Sequence, residues 1–334
     1  MMQLHERKAY WIDQYGRQKR KLRISVTDRC NFKCIYCMPE HPTWEKKHDL
    51  LSFEQLFTFC RLMVENGIEF IRITGGEPLM RQGVVHFVRD LQKLRPLGLK
   101  RISLTTNGHY LSDYAQALQQ AGLDDLNISL DSLNPTTFQQ LTQKSIEPVL
   151  SGINAAKAVG LPIKINSVLI KGVNDHEISN LIKWSIEQNI TLRFIEFMPL
   201  DGDRNWNAAH VVSEAEILAA LKIHFNVTCL SSQGADPARQ YLANGHSFGI
   251  ISTITHSFCS RCDRVRLTAK GEFYTCLFAT QGIALKPYIQ QLESQDSTEL
   301  LALLQKYIWQ KKSGYAEIFR YTQTRKISMH MLGG

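Results

Sequence analysis

Six of the eight cysteines in this 334-residue chain stand in two tight groups. Cys30, Cys34 and Cys37 form a C-x3-C-x2-C run. Cys259 and Cys262 form C-x2-C, and Cys276 follows after thirteen intervening residues. Three thiolates on a short loop can converge on one metal centre. Zinc usually takes four protein ligands in a structural site, so His41 or His48 would have to complete the first group and His256 the second. A four-iron cluster held by three thiolates leaves one iron open, where an exogenous ligand can bind and accept an electron. Disulfides are not expected, because the chain reads as cytoplasmic and that compartment keeps thiols reduced. Cys60 sits on an apolar helical face and reads as core packing, while Cys229 has no spacing partner.

Other residues could serve the same chemistry. Gly75-Gly76-Glu77-Pro78 follows a β-rich run, where a glycine pair makes a turn or lets backbone approach a ligand. Arg261, Arg264 and Arg266 crowd the segment after Cys259, as an exposed strand face or as an anion-binding wall built from planar guanidinium forks. The chain closes on Gly333-Gly334, and terminal glycines ordinarily fray.

The elements that must position these groups alternate. β-rich runs at Leu22–Thr27, Phe70–Thr74, Arg101–Thr106, Leu126–Leu130, Ile163–Ile170 and Leu192–Phe197 are separated by amphipathic stretches. The latter lie at Phe53–Glu65, Val84–Arg95, Asp113–Ala121, Val149–Val159 and Glu177–Gln188. Such alternation predicts a parallel sheet with right-handed crossovers. Thr105 to Gly108, Ser129 to Asp131, Lys164 with Asn166, and Glu196 to Met198 fall at or near strand ends, where barrel active sites are built. After about residue 205 the pattern changes. A helix near Ser213–Ile223 precedes strand signals at Arg239–Leu242, Phe248–Thr255 and Glu272–Leu277, then helices near Ile283–Leu292 and Ser297–Gln310. With no Pro/Gly-rich linker, this region is expected to pack beside the main sheet.

Composition narrows the class. An apolar share of 44% and a charged share of 21% fit a globular chain and exclude disorder. No apolar stretch approaches the roughly 20 residues of a membrane span, and Met1 to Arg23 lacks the apolar segment of a secretory signal. A cytoplasmic location without membrane partners is therefore expected. The net charge of +8 suits solubility, or an anionic ligand such as a nucleotide or nucleic acid.

C-x3-C-x2-C with Tyr36 before its last cysteine resembles the cluster motif of the radical S-adenosylmethionine superfamily. Together with C-x2-C-D-R-V-R-L-T-A-K-G-E, Cys276 and Gly333-Gly334, it resembles the GTP 3′,8-cyclase family from Leu22 to Gly334. The resemblance implies a partial (β/α)6 TIM-like barrel over 1–205 and a C-terminal region over 206–334 that carries a second cluster and closes the barrel mouth. It implies two [4Fe-4S] clusters, held by Cys30, Cys34, Cys37 and by Cys259, Cys262, Cys276. S-adenosylmethionine would meet Tyr36, Gly76, Ser129 and Met198. GTP would meet Arg23, Arg72, Thr105, Lys164, Arg193, Arg264, Val265 and Arg266, with Arg264, Arg266, Gly333 and Gly334 in catalytic roles. The implied reaction takes hydrogen from the ribose C3′ of GTP and joins that carbon to guanine C8, beginning molybdenum cofactor biosynthesis. An electron donor, a downstream cyclic pyranopterin monophosphate synthase and a homodimer partner are implied with it. Phe70 departs from the family, which often carries a lysine there.

Two other classes stay open at this point. A radical enzyme acting on RNA would suit the basic charge, whereas one acting on a peptide would be expected to carry more cysteines in a C-terminal extension, and here only Cys229 is spare. A zinc-stabilised nucleic-acid-binding protein would need no catalysis. The paired three-cysteine groups and the arginine run favour a nucleotide substrate over both, so nucleic acid is not expected as a partner.

Overall fold

The computed structural model describes residues 11–200, 206–230, 235–292, 294, 296–321 and 328–333. Gly334 and the expected boundary at 205 lie outside them. Six parallel strands, β1 (Lys21–Ser25), β2 (Phe70–Thr74), β3 (Arg101–Thr106), β4 (Asp125–Ser129), β5 (Ile163–Leu169) and β6 (Thr191–Glu196), stand side by side in chain order. Between them run α1 (Phe53–Glu65), α2 (Val84–Leu91), α3 (Leu111–Gln120), α4 (Pro135–Thr142), α5 (Glu147–Ala158) and α6 (Ile178–Gln188). Helix α1 starts at a capping box in which the Ser52 hydroxyl accepts from the Gln55 N–H and Gln55 answers at Ser52. It buries Leu56, Phe59, Cys60 and Met63 on one face. The signal for α4 was masked by its polar first turn; Asn134 caps it and Pro135 begins it.

The later elements are α7 (Glu214–Lys222), β7 (Val227–Cys229), β8 (Arg239–Ala243), β9 (His246–Ile251), β10 (Arg264–Leu267), β11 (Glu272–Tyr274) and β12 (Ile283–Ala284). After them come α8 (Lys286–Gln291), α9 (Thr298–Trp309), α10 (Tyr315–Tyr321) and α11 (Met329–Leu332). They do not form a separate sheet. Strand β10 pairs parallel with β1, and β9 pairs parallel with β6, so later strands extend both edges of the six-stranded core. The order across the whole twelve-stranded sheet is β12-β11-β10-β1-β2-β3-β4-β5-β6-β9-β8-β7. Ile283 opens a short edge strand rather than the expected helix, which begins only at Lys286, next to Pro287.

Strand alternation positions the site. Leu22, Ile24, Ile71, Ile73, Ile102, Leu104, Leu126 and Ile128 are fully or almost fully buried toward the helix layer. Alternate positions turn the other way into the barrel lumen. Barrel lumens are ordinarily filled by layers of branched apolar side chains. Here Arg23, Arg72, Ser103, Lys164, Arg193, Arg264 and Arg266 point inward, and an open cavity takes the place of a packed centre.

Candidate active site

The lumen encloses a cavity of about 460 Å³ that both cysteine groups line. Strand pairing puts the groups at opposite ends of the barrel. Cys30 to Cys37 follow the C-terminal end of β1. Cys259 and Cys262 precede β10, whose Arg264 pairs with Lys21 at the N-terminal end of β1. Cys276 returns to the Cys262 end because β11 runs antiparallel to β10, Arg266 opposite Tyr274.

At the first end, Gly75 and Gly76 close over the start of the cysteine loop. A Cβ at Gly75 would stand 2.5 Å from the Thr27 carbonyl oxygen, and one at Gly76 2.5 Å from that of Asp28. The pair is therefore glycine because backbone meets backbone, not only because a ligand approaches. Glu77, fully buried, accepts from Thr106 Oγ1 (2.8 Å), the Asn107 N–H (2.7 Å) and the Leu79 N–H (3.0 Å). Burial still pushes its carboxyl up to about 7. Asn107 Nδ2 lies 3.7 Å from Cys30 Sγ. Tyr36 donates to Asp131 Oδ2 at 2.6 Å, and Val168 N–H donates to Asp131 Oδ1 at 2.8 Å. Burial raises the Asp131 carboxyl to about 6 against those donors. Burial, then Glu77, lifts the Cys30 thiol to about 11; burial, then Cys37 and Asp131, lifts Cys34 well above the ordinary thiol range.

In the middle, register aligns Arg266, Arg23 and Arg72 in one row across β10, β1 and β2. Burial, followed by Arg266, Arg72, Arg264 and Arg193, depresses the Arg23 guanidinium well below its usual value. Arg72 is brought down to about 10 by burial and then Arg193, and Lys164 is lowered by the same two causes. The Arg193 Nε and Asn166 Oδ1 atoms are buried without a hydrogen-bond partner. A cavity whose buried cations repel one another and whose polar atoms go unanswered fits an extended polyanion.

At the second end, Cys262 lies beside Lys311, whose ammonium stands 3.3 Å from Cys262 Sγ. Burial alone would raise that thiol, but Lys311 and Arg264 overcome it and bring it to about 6. Cys276 is raised by burial, with Lys311 opposing. His256 turns toward Glu214 at 3.4 Å rather than joining the cysteines. Among the described residues, no three Cys, His, Asp or Glu side chains surround a single ion position. Three thiols facing one cavity wall at each end suit a multi-iron cluster, whose ligands bind separate irons.

The structure thus brings together Cys30, Cys34, Cys37, Tyr36, Gly76, Ser129, Met198, Arg23, Arg72, Thr105, Lys164, Arg193, Arg264, Arg266, Cys259, Cys262 and Cys276 around one space. Val265 is wholly buried in the core and turns away from it. Gly333 approaches from the tail: its carbonyl accepts from Arg266 Nη1, its φ is +72°, and an added Cβ would overlap the Thr74 side chain. Of the expected strand-end clusters, Glu196 is structural, taking the N–H groups of Ile254 (2.8 Å) and Thr255 (2.9 Å). Lys311 and His330 were not foreseen. The first lies just beyond a helix end and the second beside the terminal glycines, and neither has a motif around it.

The chain matches the Radical SAM superfamily over residues 24–185 and Molybdenum Cofactor Synthesis C over residues 190–317. It is 43% identical to the GTP 3′,8-cyclase of Streptomyces coelicolor, covering 91% of this chain and 90% of that one. It is 40% identical to the GTP 3′,8-cyclase of a Sulfurovum species, covering 88% and 90%. Among solved structures, Streptococcus suis SuiB bound to S-adenosylmethionine superposes with a TM-score of 0.61 at 14% identity, over 82% of this chain and 65% of that one. The chain therefore spans just under two thirds of the SuiB structure, and that likeness speaks to the fold alone.

Proposed function

Because the chain belongs to the GTP 3′,8-cyclase family, we propose that it converts GTP to (8S)-3′,8-cyclo-7,8-dihydroguanosine 5′-triphosphate, the first step of molybdenum cofactor biosynthesis. It is a radical S-adenosylmethionine enzyme, and that superfamily brings one [4Fe-4S] cluster and S-adenosylmethionine. When bound, these two supply a 5′-deoxyadenosyl radical that takes hydrogen from the ribose C3′.

Cys30, Cys34 and Cys37 would hold that cluster, with Tyr36, Gly76, Ser129 and Met198 lining the cofactor's end of the cavity. Tyr36 is fixed for this by its bond to Asp131. Arg23, Arg72, Lys164 and Arg193 would grip the triphosphate, each charge-assisted bond being about twice as strong as a neutral one. Thr105 adds a hydroxyl, and Val265 could contribute only backbone. Cys259, Cys262 and Cys276 would hold a second cluster, which would anchor the guanine end of the nucleotide. Arg264, Arg266, Gly333 and Gly334 would complete the reacting region, Arg266 by holding the tail at the Gly333 carbonyl. The chain's own share of catalysis is to fix both ends of one nucleotide conformer and exclude water.

The observation that carries this reading is the row Arg266–Arg23–Arg72 set between two cysteine groups in one cavity. The functional division at about residue 205 belongs to the same proposal, as do a one-electron donor, a homodimer, a cytoplasmic site of action and a cyclic pyranopterin monophosphate synthase that takes the product. No helix among the described residues is long and apolar enough to cross a membrane.

The test is anaerobic reconstitution with iron and sulfide, followed by reductant and S-adenosylmethionine, with 5′-deoxyadenosine measured with and without GTP. A GTP-dependent rise with a new product isomeric to GTP is expected. Cofactor cleavage indifferent to GTP would transfer the chemistry to an RNA or peptide substrate.

A further inference from the structure

Behind the second cysteine group lies a buried charged network that the reaction does not itself call for. Lys311 is only 3% exposed. An ammonium has three donors and no acceptor, and this one spends them on Cys262 Sγ (3.3 Å), the Arg264 carbonyl (3.0 Å) and the Thr275 carbonyl (2.5 Å). Thr275 precedes Cys276, so a single side chain ties together both segments that carry the thiols. One layer further back, Lys19, fully buried, donates to the Cys262 carbonyl (2.9 Å) and to Asp13 Oδ2 (2.7 Å). Arg17 donates to the Cys259 carbonyl (2.7 Å) and pairs with Asp13 at 2.6 Å.

Arg17 and Lys19 thus share one carboxylate, Asp13, while Lys311 gives its donors to a sulfur and two carbonyls. Buried charge without compensation is costly. Asp263, next to Cys262, is engaged by Lys21 at 3.0 Å, and the group of the cysteine cluster that Lys311 itself meets is the Cys262 sulfur. Beside the first group stand acidic side chains instead: Glu77 accepts from the N–H of Asn107, whose side chain lies 3.7 Å from Cys30 Sγ, and Asp131 accepts from Tyr36, between Cys34 and Cys37. Hydrogen bonds to sulfur and net charge are among the settings that fix an iron–sulfur potential, and nearby positive charge favours the state holding the extra electron.

We propose that Lys311, braced by Lys19, Arg17 and Asp13, is a positioning residue that acts through the Cys262 sulfur to hold the second cluster at a higher reduction potential than the first. This rests on the second-cluster reading above.

An EPR-monitored redox titration of the anaerobically reconstituted full chain, preceded by iron and sulfide analysis, separates the two claims. A single cluster in the wild type would remove the second-cluster reading itself, whatever Lys311 does. With two clusters present, Lys311→Met should reduce the ratio of reduced to oxidised second cluster about tenfold at the wild-type midpoint, a shift of about 59 mV for one electron. The first cluster should keep its midpoint, and Lys311→Arg should recover most of the shift. Wild-type midpoints in Lys311→Met overturn the proposal. Should that variant fail to assemble the second cluster, Lys311→Gln decides, since it is neutral yet still donates to sulfur. A lowered midpoint there supports tuning by charge; an unchanged midpoint, or loss of the cluster, overturns it.

Discussion

The two ends of the barrel offer the same donor set, three cysteines, in opposite electrostatic surroundings. The Cys30 end is apolar and acidic: Glu77 and Asp131 are buried beside it, and the Cys30 and Cys34 thiols are pushed up by burial before any neighbour acts. The Cys262 end is buried too, yet Lys311 and Arg264 reverse the effect at Cys262, and Lys311 opposes it at Cys276, which stays raised. Burial is common to both, so the sign of the neighbouring charge makes the difference. Anionic surroundings disfavour an added electron and make the reduced centre a strong donor, which suits cleavage of a sulfonium. Cationic surroundings suit a centre that stays put and anchors a ligand.

The largest expected contrast comes from removing a thiol at each end. Cys34→Ala should abolish 5′-deoxyadenosine formation altogether. Cys276→Ala should spare GTP-independent cofactor cleavage while the cyclised nucleotide disappears. If Cys276→Ala still made that product at the normal rate, the division of labour between the ends would fail.

Next in size is the charge network of the second end. Asp13→Asn leaves Arg17 and Lys19 buried without their carboxylate and should cost about 3–5 kcal/mol in denaturant unfolding. Despite burial, Lys19 and Arg17 hold the Asp13 carboxyl below its usual value. Its contribution is therefore present above the unfolded aspartate value, near 3.9, and is lost as pH falls through the lower folded value. The acid limb of wild-type stability should be steeper there than that of Asp13→Asn; equal slopes would show the carboxylate to be dispensable.

At the first end the corresponding constraint is steric. Gly76→Ala drives a Cβ into the Asp28 and Arg29 carbonyls and should destabilise the chain by about 1–3 kcal/mol, the ordinary cost of overpacking. First-cluster incorporation should fall while iron bound at the second end is retained. Loss of iron from both ends alike would mean that they do not assemble independently. The smallest effect is a calibration remote from the cysteine loops: Ser213→Ala removes one half of the α7 capping box and should cost about 1 kcal/mol, without altering cofactor cleavage.

Much of the frame was legible because its signals are local. The strands β2 and β3 and the helix α1 stand where their apolar period places them, since each buries one face regardless of what it packs on. The elements that escaped are short or diluted by polar residues: α4, the three-residue β7, α10 and α11 near the end of the chain, and β12, which the expected helix at Ile283 had absorbed. The arginine run Arg261 to Arg266 carried a choice between exposed strand and anion wall that its residue types alone left open. Pairing of β10 beside β1 decides it, turning Arg264 and Arg266 into the lumen and Val265 into the core.

By itself, the sequence determined the donor sets, because a thiolate's chemistry and the reach of a short loop are properties of residue type and spacing. It likewise determined the parallel sheet, because alternating amphipathic segments have few ways to bury their apolar faces, whereas the alternation alone did not choose between an open sheet and a barrel. Only the tertiary structure decided that the two cysteine groups stand at opposite ends of one cavity, that Arg23, Arg72 and Arg266 share a row, and that Lys311 reaches Cys262 across 49 residues. Charge sign at a buried thiol is set by which distant side chains fold in beside it, and Coulomb energy depends on distance through space rather than along the chain.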